Sequence, residues 1–219
     1  MLVLIAGGSG ALGQTVVPTF LLAGARVITA DRHLPSVQTE GRIAMKADVT
    51  DETAVRRLVD DVIQQAGRID VLINLVGGFA MGRLVETDVS VWQQMLTINL
   101  TSAFLLSRAV LPHMLEQRTG RIVHVAARAA LEPFPGAAAY IVSKSGLVAL
   151  IHALSTELVG SGVTVNGVLP GTIDTPGNRK AMPDADPSKW ARPESIAQTL
   201  TFLASEEAAQ INGVLIPIG

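Results

Sequence analysis

Short apolar runs and longer stretches of helical period take turns along this chain from one end to the other. The apolar runs carry no polar alternation, as expected of strands buried on both faces, and the periodic stretches supply the helices that would cover them. Strands are predicted near Leu2–Ala6, Arg26–Ala30, Ile43–Lys46, Val71–Asn74, Arg121–Val125, Thr164–Leu169 and Val214–Pro217. Helices are predicted near Ala11–Ala23, Glu52–Ala66, Val91–Glu116, Ser143–Val159 and Pro193–Ser205. This order predicts an α/β fold, a doubly wound parallel sheet of about seven strands with helices on both faces. No repeat, linker or low-complexity tract divides the pattern, so residues 1–219 read as one domain. The segment from Pro170 to Ala191, rich in Pro, Gly, Asp and Asn, is longer than an ordinary connection and reads as a flap over a site.

Composition narrows the function classes. Hydrophobic residues make up 48% of the 219 and charged residues 16%, which is ample for a buried core. A net charge of −2 gives no electrostatic footprint for nucleic acid or an anionic membrane. The absence of Cys removes disulfides and thiol chemistry and is compatible with a reducing cytoplasm. The apolar run after Met1 lacks a basic flank, is too short to span a membrane and ends in glycines, so it reads as a strand.

Candidate chemistry begins at Gly7-Gly8-Ser9-Gly10-Ala11-Leu12-Gly13, a glycine-rich turn between a strand and a helix. Such a turn lets backbone approach a pyrophosphate at a helix N-terminus, which makes the domain Rossmann-like. Asp31 closes the second strand, where a carboxylate can bond adenosine ribose hydroxyls and repel a 2′-phosphate, favouring NAD(H). Arg32 follows and could pair with that phosphate, which keeps NADP(H) possible. Asp48 and Val49 could meet the adenine, or their neighbours Thr50 and Asp51 could simply cap a helix. Asn74, Val76 and Gly77 lie at the carboxyl end of the fourth strand, where doubly wound sheets bind ligands. Asn99 sits in an apolar helix and must bond either backbone or a polar network.

Tyr140 and Lys144 stand four residues apart at the front of a helical pattern, so phenol and ammonium can share one face. A cation there is expected to lower the phenol pKa from its usual value of about 10. The four histidines, His33, His113, His124 and His152, share no metal-ligand spacing; they read as surface or core residues and no metal site is expected. Trp190 lies in the flap and could touch a substrate.

Taken in order, the glycine-rich turn, Asn74-Leu75-Val76-Gly77, Asn99, Tyr140-x-x-x-Lys144 and Pro170-Gly171-x-x-x-Thr175 resemble the short-chain dehydrogenase/reductase family over essentially the whole chain. The resemblance implies that Tyr140 is the general acid/base, that Lys144 holds the nicotinamide ribose, and that Asn99 anchors a water relay. It also implies that the segment after Pro170, with Gly171, Ile173 and Thr175, covers the nicotinamide. Two positions depart from the family pattern. Ala11 stands where glycine is usual, and Ala127, thirteen residues before the tyrosine, stands in place of the active-site serine. Loss of such a carbonyl-directed donor typically costs on the order of 10²–10³ in rate.

The segments Gly7 to Gly13, Val76-Gly77-Gly78-Phe79-Ala80, Ala127 to Leu131 and Leu169 to Asp186 resemble the dihydropteridine reductases, a branch that also has alanine for the serine. Phe79 stands where that branch has tryptophan. The expectation is therefore an NADH-dependent oxidoreductase reducing a quinonoid dihydropterin or similar conjugated substrate, with Tyr140 as proton donor. The alternatives are a general alcohol dehydrogenase or ketone reductase using another donor, such as Ser143 or a backbone amide, and a non-catalytic dinucleotide-binding relative. Apolar surface on the helices Asn99 to Leu115 and Ser143 to Val159 predicts a homodimer or homotetramer.

Overall fold

A computed structural model describes residues 1–34 and 39–219. The described residues form seven strands: β1 (Leu2–Ala6), β2 (Arg26–Asp31), β3 (Arg42–Lys46), β4 (Val71–Asn74), β5 (Gly120–Val125), β6 (Val163–Pro170) and β7 (Leu215–Ile218). All pair in parallel in one sheet of order β3-β2-β1-β4-β5-β6-β7. The chain winds outward from β1 to one edge, then returns to pair β4 on the other side of β1. The topological switch, and the crevice it opens at the strands' carboxyl ends, therefore falls between β1 and β4.

Central strands are buried at every position, which is why their sequences carry no alternation. Helices α2 (Glu52–Ala66), α4 (Ser102–Gln117) and α5 (Ala138–Glu157) cover one face over a core that includes Leu4, Leu72, Leu106, Ile122, Leu147 and Ile151. Helices α1 (Gly13–Leu22) and α7 (Pro193–Leu203) cover the other, over Ile5, Val17, Phe20, Ile73, Val123 and Leu200. Asp51 caps α2 by accepting from the Ala54 amide at 2.7 Å.

Two long helices differ from the sequence expectation. The stretch expected as one helix from Val91 to Glu116 is α3 (Val89–Leu96) and α4 joined without a break by a π turn at Thr97–Thr101. Helix α5 starts at Ala138 rather than Ser143, so Tyr140 stands inside its first turn. The long irregular segment contains a short helix, α6 (Pro176–Ala181), with Thr175 as its cap and Pro176 at its first position.

Candidate active site

The glycine-rich turn leaves β1 and enters α1 two residues later than expected, at Gly13. Its shape is set by close packing: a Cβ on Gly8 would lie 2.5 Å from the Thr29 methyl, so only glycine lets the turn settle against β2. From β2, the Asp31 carboxylate reaches under the turn and accepts the Ser9 amide at 2.9 Å. The second Asp31 oxygen and the Ser9 hydroxyl are buried without a hydrogen-bond partner among the described residues. Two adjoining orphaned oxygens, one an acceptor and one able to donate, suit the hydroxyls of a dinucleotide's ribose. Gly10 and Ala11 are exposed at the tip.

The adenine-side candidates divide. Asp48 accepts from both the amide and the hydroxyl of Thr50, at 2.9 and 2.6 Å, and these bonds with the Arg32 charge hold its carboxyl below the usual range. Val49 places its side chain in the core, leaving only its backbone to a ligand. Arg32 is exposed.

Past β4, Asn74 is turned inward: its oxygen accepts the Val76 amide at 3.1 Å, so it shapes the turn that follows. Asn99, on the π turn, is fully buried and resolves the choice between backbone and network by doing both. Its oxygen accepts the Gly78 amide at 2.9 Å, and its nitrogen donates to the Gly78 carbonyl and the Ser143 hydroxyl, each at 3.0 Å. A π turn widens the helix locally and presents this amide where a regular turn would not. Gly77 lies between Asn99 and Lys144; a Cβ there would stand 2.9 Å from the Asn99 oxygen and 3.1 Å from the Lys144 nitrogen.

Lys144 is buried and donates to the Val125 carbonyl at 2.9 Å; desolvation lowers its pKa to about 8. Tyr140 is half-buried, with the Phe79 ring edge-on at 4.9 Å between centroids. Its pKa is raised, not lowered as expected, because burial disfavours the charged phenolate. Ser143 corrects another expectation. It is fully buried, accepts from Asn99 and donates to the Tyr140 carbonyl at 2.7 Å, so its one proton is engaged away from any substrate carbonyl. Ala127, thirteen residues before Tyr140, presents a buried methyl.

The flap begins as β6 ends. Gly171 bonds the Ile218 carbonyl at 3.0 Å, Ile173 bridges to Ala191, and Asn178 donates to the Ile173 carbonyl at 2.8 Å. Thr175 accepts the Asn178 amide at 3.2 Å. Pro170 is buried at the strand end.

Sequence reasoning missed a strap beside Tyr140. The Gly82 amide donates to the Gly136 carbonyl at 2.7 Å and Gly82 bridges to Ala137, so the loop carrying Phe79 and Met81 is tied to the loop carrying Phe134. Phe79, Met81, Leu131 and Phe134 are exposed, giving these loops an apolar surface. Their signal was the density of large apolar residues in glycine-containing loops, where turns are normally polar.

A family model described as short chain dehydrogenase matches residues 1–186. The 3-oxoacyl-(acyl-carrier-protein) reductase of Thermotoga maritima is 32% identical, covering 98% of this chain and 94% of its own length. The meso-2,3-butanediol dehydrogenase of Serratia marcescens is also 32% identical, covering 99% of this chain and 92% of its own. Among solved structures, ElxO with NADP bound superposes at a TM-score of 0.93 with 26% identity, covering 99% of this chain and 96% of its own.

Proposed function

The chain belongs to the short-chain dehydrogenase family and is an NAD(P)-dependent oxidoreductase; from that premise we propose that it interconverts an alcohol and a carbonyl compound of small to medium size, with Tyr140 as proton donor and acceptor. Curated relatives that act on a 3-oxoacyl group and on a diol support a hydroxyl-bearing carbon as the reacting centre. The observation that carries the reading is the Tyr140–Lys144 pair on one turn of α5 at the carboxyl edge of the sheet. The dihydropterin expectation finds no such support among these relatives, and the alcohol and ketone alternative replaces it as the first reading.

The residues fit a dinucleotide: Gly7 to Gly13 for the pyrophosphate, Asp31 and Ser9 for the adenosine ribose, Val76 and Gly77 for the face beside Lys144, and Ile173 and Thr175 above it. The cofactor supplies or accepts the hydride when bound. Lys144 holds a hydroxyl-rich neighbour by charge and hydrogen bond, and Tyr140 moves the proton at its Oη. Asp31 favours NADH by repelling a phosphate, although the NADP in ElxO keeps NADPH open. The apolar surface at Phe79, Met81 and Phe134 suits a substrate with an apolar or aromatic body.

A second reading rests on one observation, Ala127. With its methyl in place of a hydroxyl, and Ser143 engaged elsewhere, an electron-poor conjugated imine such as a quinonoid dihydropterin would be the easier substrate. We further propose self-association through α4 and α5, where Phe104, Leu115 and Val142 are exposed, and residence in a reducing compartment.

Fluorescence titration with NADH and NADPH, followed by turnover on a ketone panel and on quinonoid dihydropterin, tests these readings. The expected result is tighter NADH binding, turnover of apolar ketones, and a Tyr140→Phe loss of about 10²–10⁴-fold with binding intact. Cofactor binding with turnover of dihydropterin alone would shift the assignment to the second reading. Full activity in Tyr140→Phe would remove the proton-transfer role.

A further inference from the structure

His124 is fully buried on β5, opposite Asn74 in the register with β4, and none of the chemistry above uses it. Its two ring nitrogens meet different partners. Nε2 lies 3.1 Å from the Ser107 hydroxyl on α4, and Nδ1 lies 3.4 Å from the Asn74 amide nitrogen.

Both contacts fix the position of the ring proton, and they agree. Ser107 donates its only proton to the Ala103 carbonyl at 2.8 Å, so towards His124 it can only accept. Nε2 must therefore carry the hydrogen. At the other end, the Asn74 oxygen accepts the Val76 amide at 3.1 Å, which orients the side-chain NH₂ towards His124. Nδ1 must therefore be the acceptor. A single directed chain results, running from Val76 through Asn74, His124 and Ser107 to Ala103. It ties the turn beside Lys144 to helix α4 on the covering layer.

We propose that His124 is a positioning residue that, locked as its Nε2–H tautomer between Ser107 and Asn74, holds the Val76–Gly77 main chain in place for the cofactor. The opposite tautomer would set two donors against each other at Asn74 and leave Nε2 facing a hydroxyl with no proton to give. Either fault would release the Asn74 amide to rotate, and with it the bond that holds Val76. Burial first and the Lys144 charge second keep the ring neutral, with a pKa lowered to about 3. The proposal rests on the cofactor reading only for the purpose of the turn; the tautomer and its grip on Val76 stand apart from it.

The test uses the full chain with ¹⁵N-labelled histidine. The ring resonances of His124 should report a neutral Nε2–H imidazole from pH 5 to 8, and a neutral Nδ1–H or doubly protonated ring would overturn the proposal. His124→Phe should speed hydrogen exchange at the Val76 amide and weaken NADH binding, each about tenfold, the worth of one net hydrogen bond. In that variant kcat at saturating cofactor should stay within about twofold. Should His124→Phe fail to fold, Ser107→Ala should move the same readouts in the same direction and Ser107→Thr should restore them. Unchanged Val76 exchange and NADH affinity in Ser107→Ala would overturn the proposal. If the unsubstituted protein bound no NADH, the cofactor reading would fail, while the tautomer and exchange data would still decide the role of His124.

Discussion

The side-chain amide of Asn99 pairs with both main-chain polar groups of Gly78, accepting from the nitrogen at 2.9 Å and donating to the carbonyl at 3.0 Å. Substituting Asn99 by Leu leaves these groups, and the Ser143 oxygen, short of partners. The expected cost is about 1–3 kcal/mol, that of one buried polar group left unpaired, since the half-buried Gly78 groups can turn to water. Urea unfolding measures it, and a loss below about 1 kcal/mol would show that the clamp is replaceable.

Ala127 offers a gain-of-function test. An Ala127→Ser hydroxyl would supply a donor that Ser143 cannot, because the latter is engaged with Tyr140 and Asn99. Reduction of simple ketones should rise at least about tenfold, a conservative share of the 10²–10³ that such a donor typically contributes. Turnover of a conjugated imine should change little. No gain on any ketone would mean that the wild-type site already stabilises the carbonyl oxygen by another group.

Stability should depend on pH through two buried bases. The His124 pKa falls from 6.5 to about 3 on folding, so between those values the unfolded chain binds more protons. Its contribution is complete above pH 6.5 and is lost on acidification, at up to about 1.4 kcal/mol per pH unit. The Lys144 pKa falls from 10.5 to about 8, so by the same sign stability rises from about pH 8 towards 10.5. Denaturant unfolding across the range measures both slopes. A Lys144→Met variant should lose the alkaline one, and its persistence would assign that slope to another group.

Asp31 should govern cofactor choice. Asp31→Ser removes the carboxylate that lies under the Ser9 amide. The NADH-to-NADPH affinity ratio should fall at least about tenfold, or 1.4 kcal/mol. Fluorescence titration reads the ratio directly, and an unchanged value would move the discrimination to Arg32 or another neighbour.

Much of this was legible in the sequence because burial on two faces leaves an unmistakable record. β1 and β4 were bounded correctly, since Leu2–Ala6 and Val71–Asn74 are unbroken apolar runs with at most a closing polar residue. The start of α5 is hidden in the sequence because Ala137, Ala138 and Ala139 fit any periodicity, so the pattern places the helix start at Ser143. Helix α6 carried the Thr-Pro start signal but was masked by the surrounding Pro and Gly. The four-residue spacing places Tyr140 and Lys144 on one face of α5 but gives the wrong sign for the Tyr140 shift. Spacing places two residues on one helix face, whereas the burial that raises the phenol pKa is a tertiary fact. His124 was visible only as a polar residue in a buried run; its partners come from β4 and α4, far away along the chain.

The π turn at Thr97–Thr101 sets how this protein can change length. One residue of helix corresponds to a rotation of about 100°. Deleting a single residue there, so that the turn relaxed to ordinary α geometry, would leave α3 and α4 out of phase. Either Asn99 would still meet Gly78 while Leu106 and Val110 swung off the sheet, or the core contacts would hold and the amide would face elsewhere. The extra residue is thus a phase correction between the site and the core. A stretch that looks like any helix in the sequence should tolerate substitution at its exposed positions, yet accept neither insertion nor deletion.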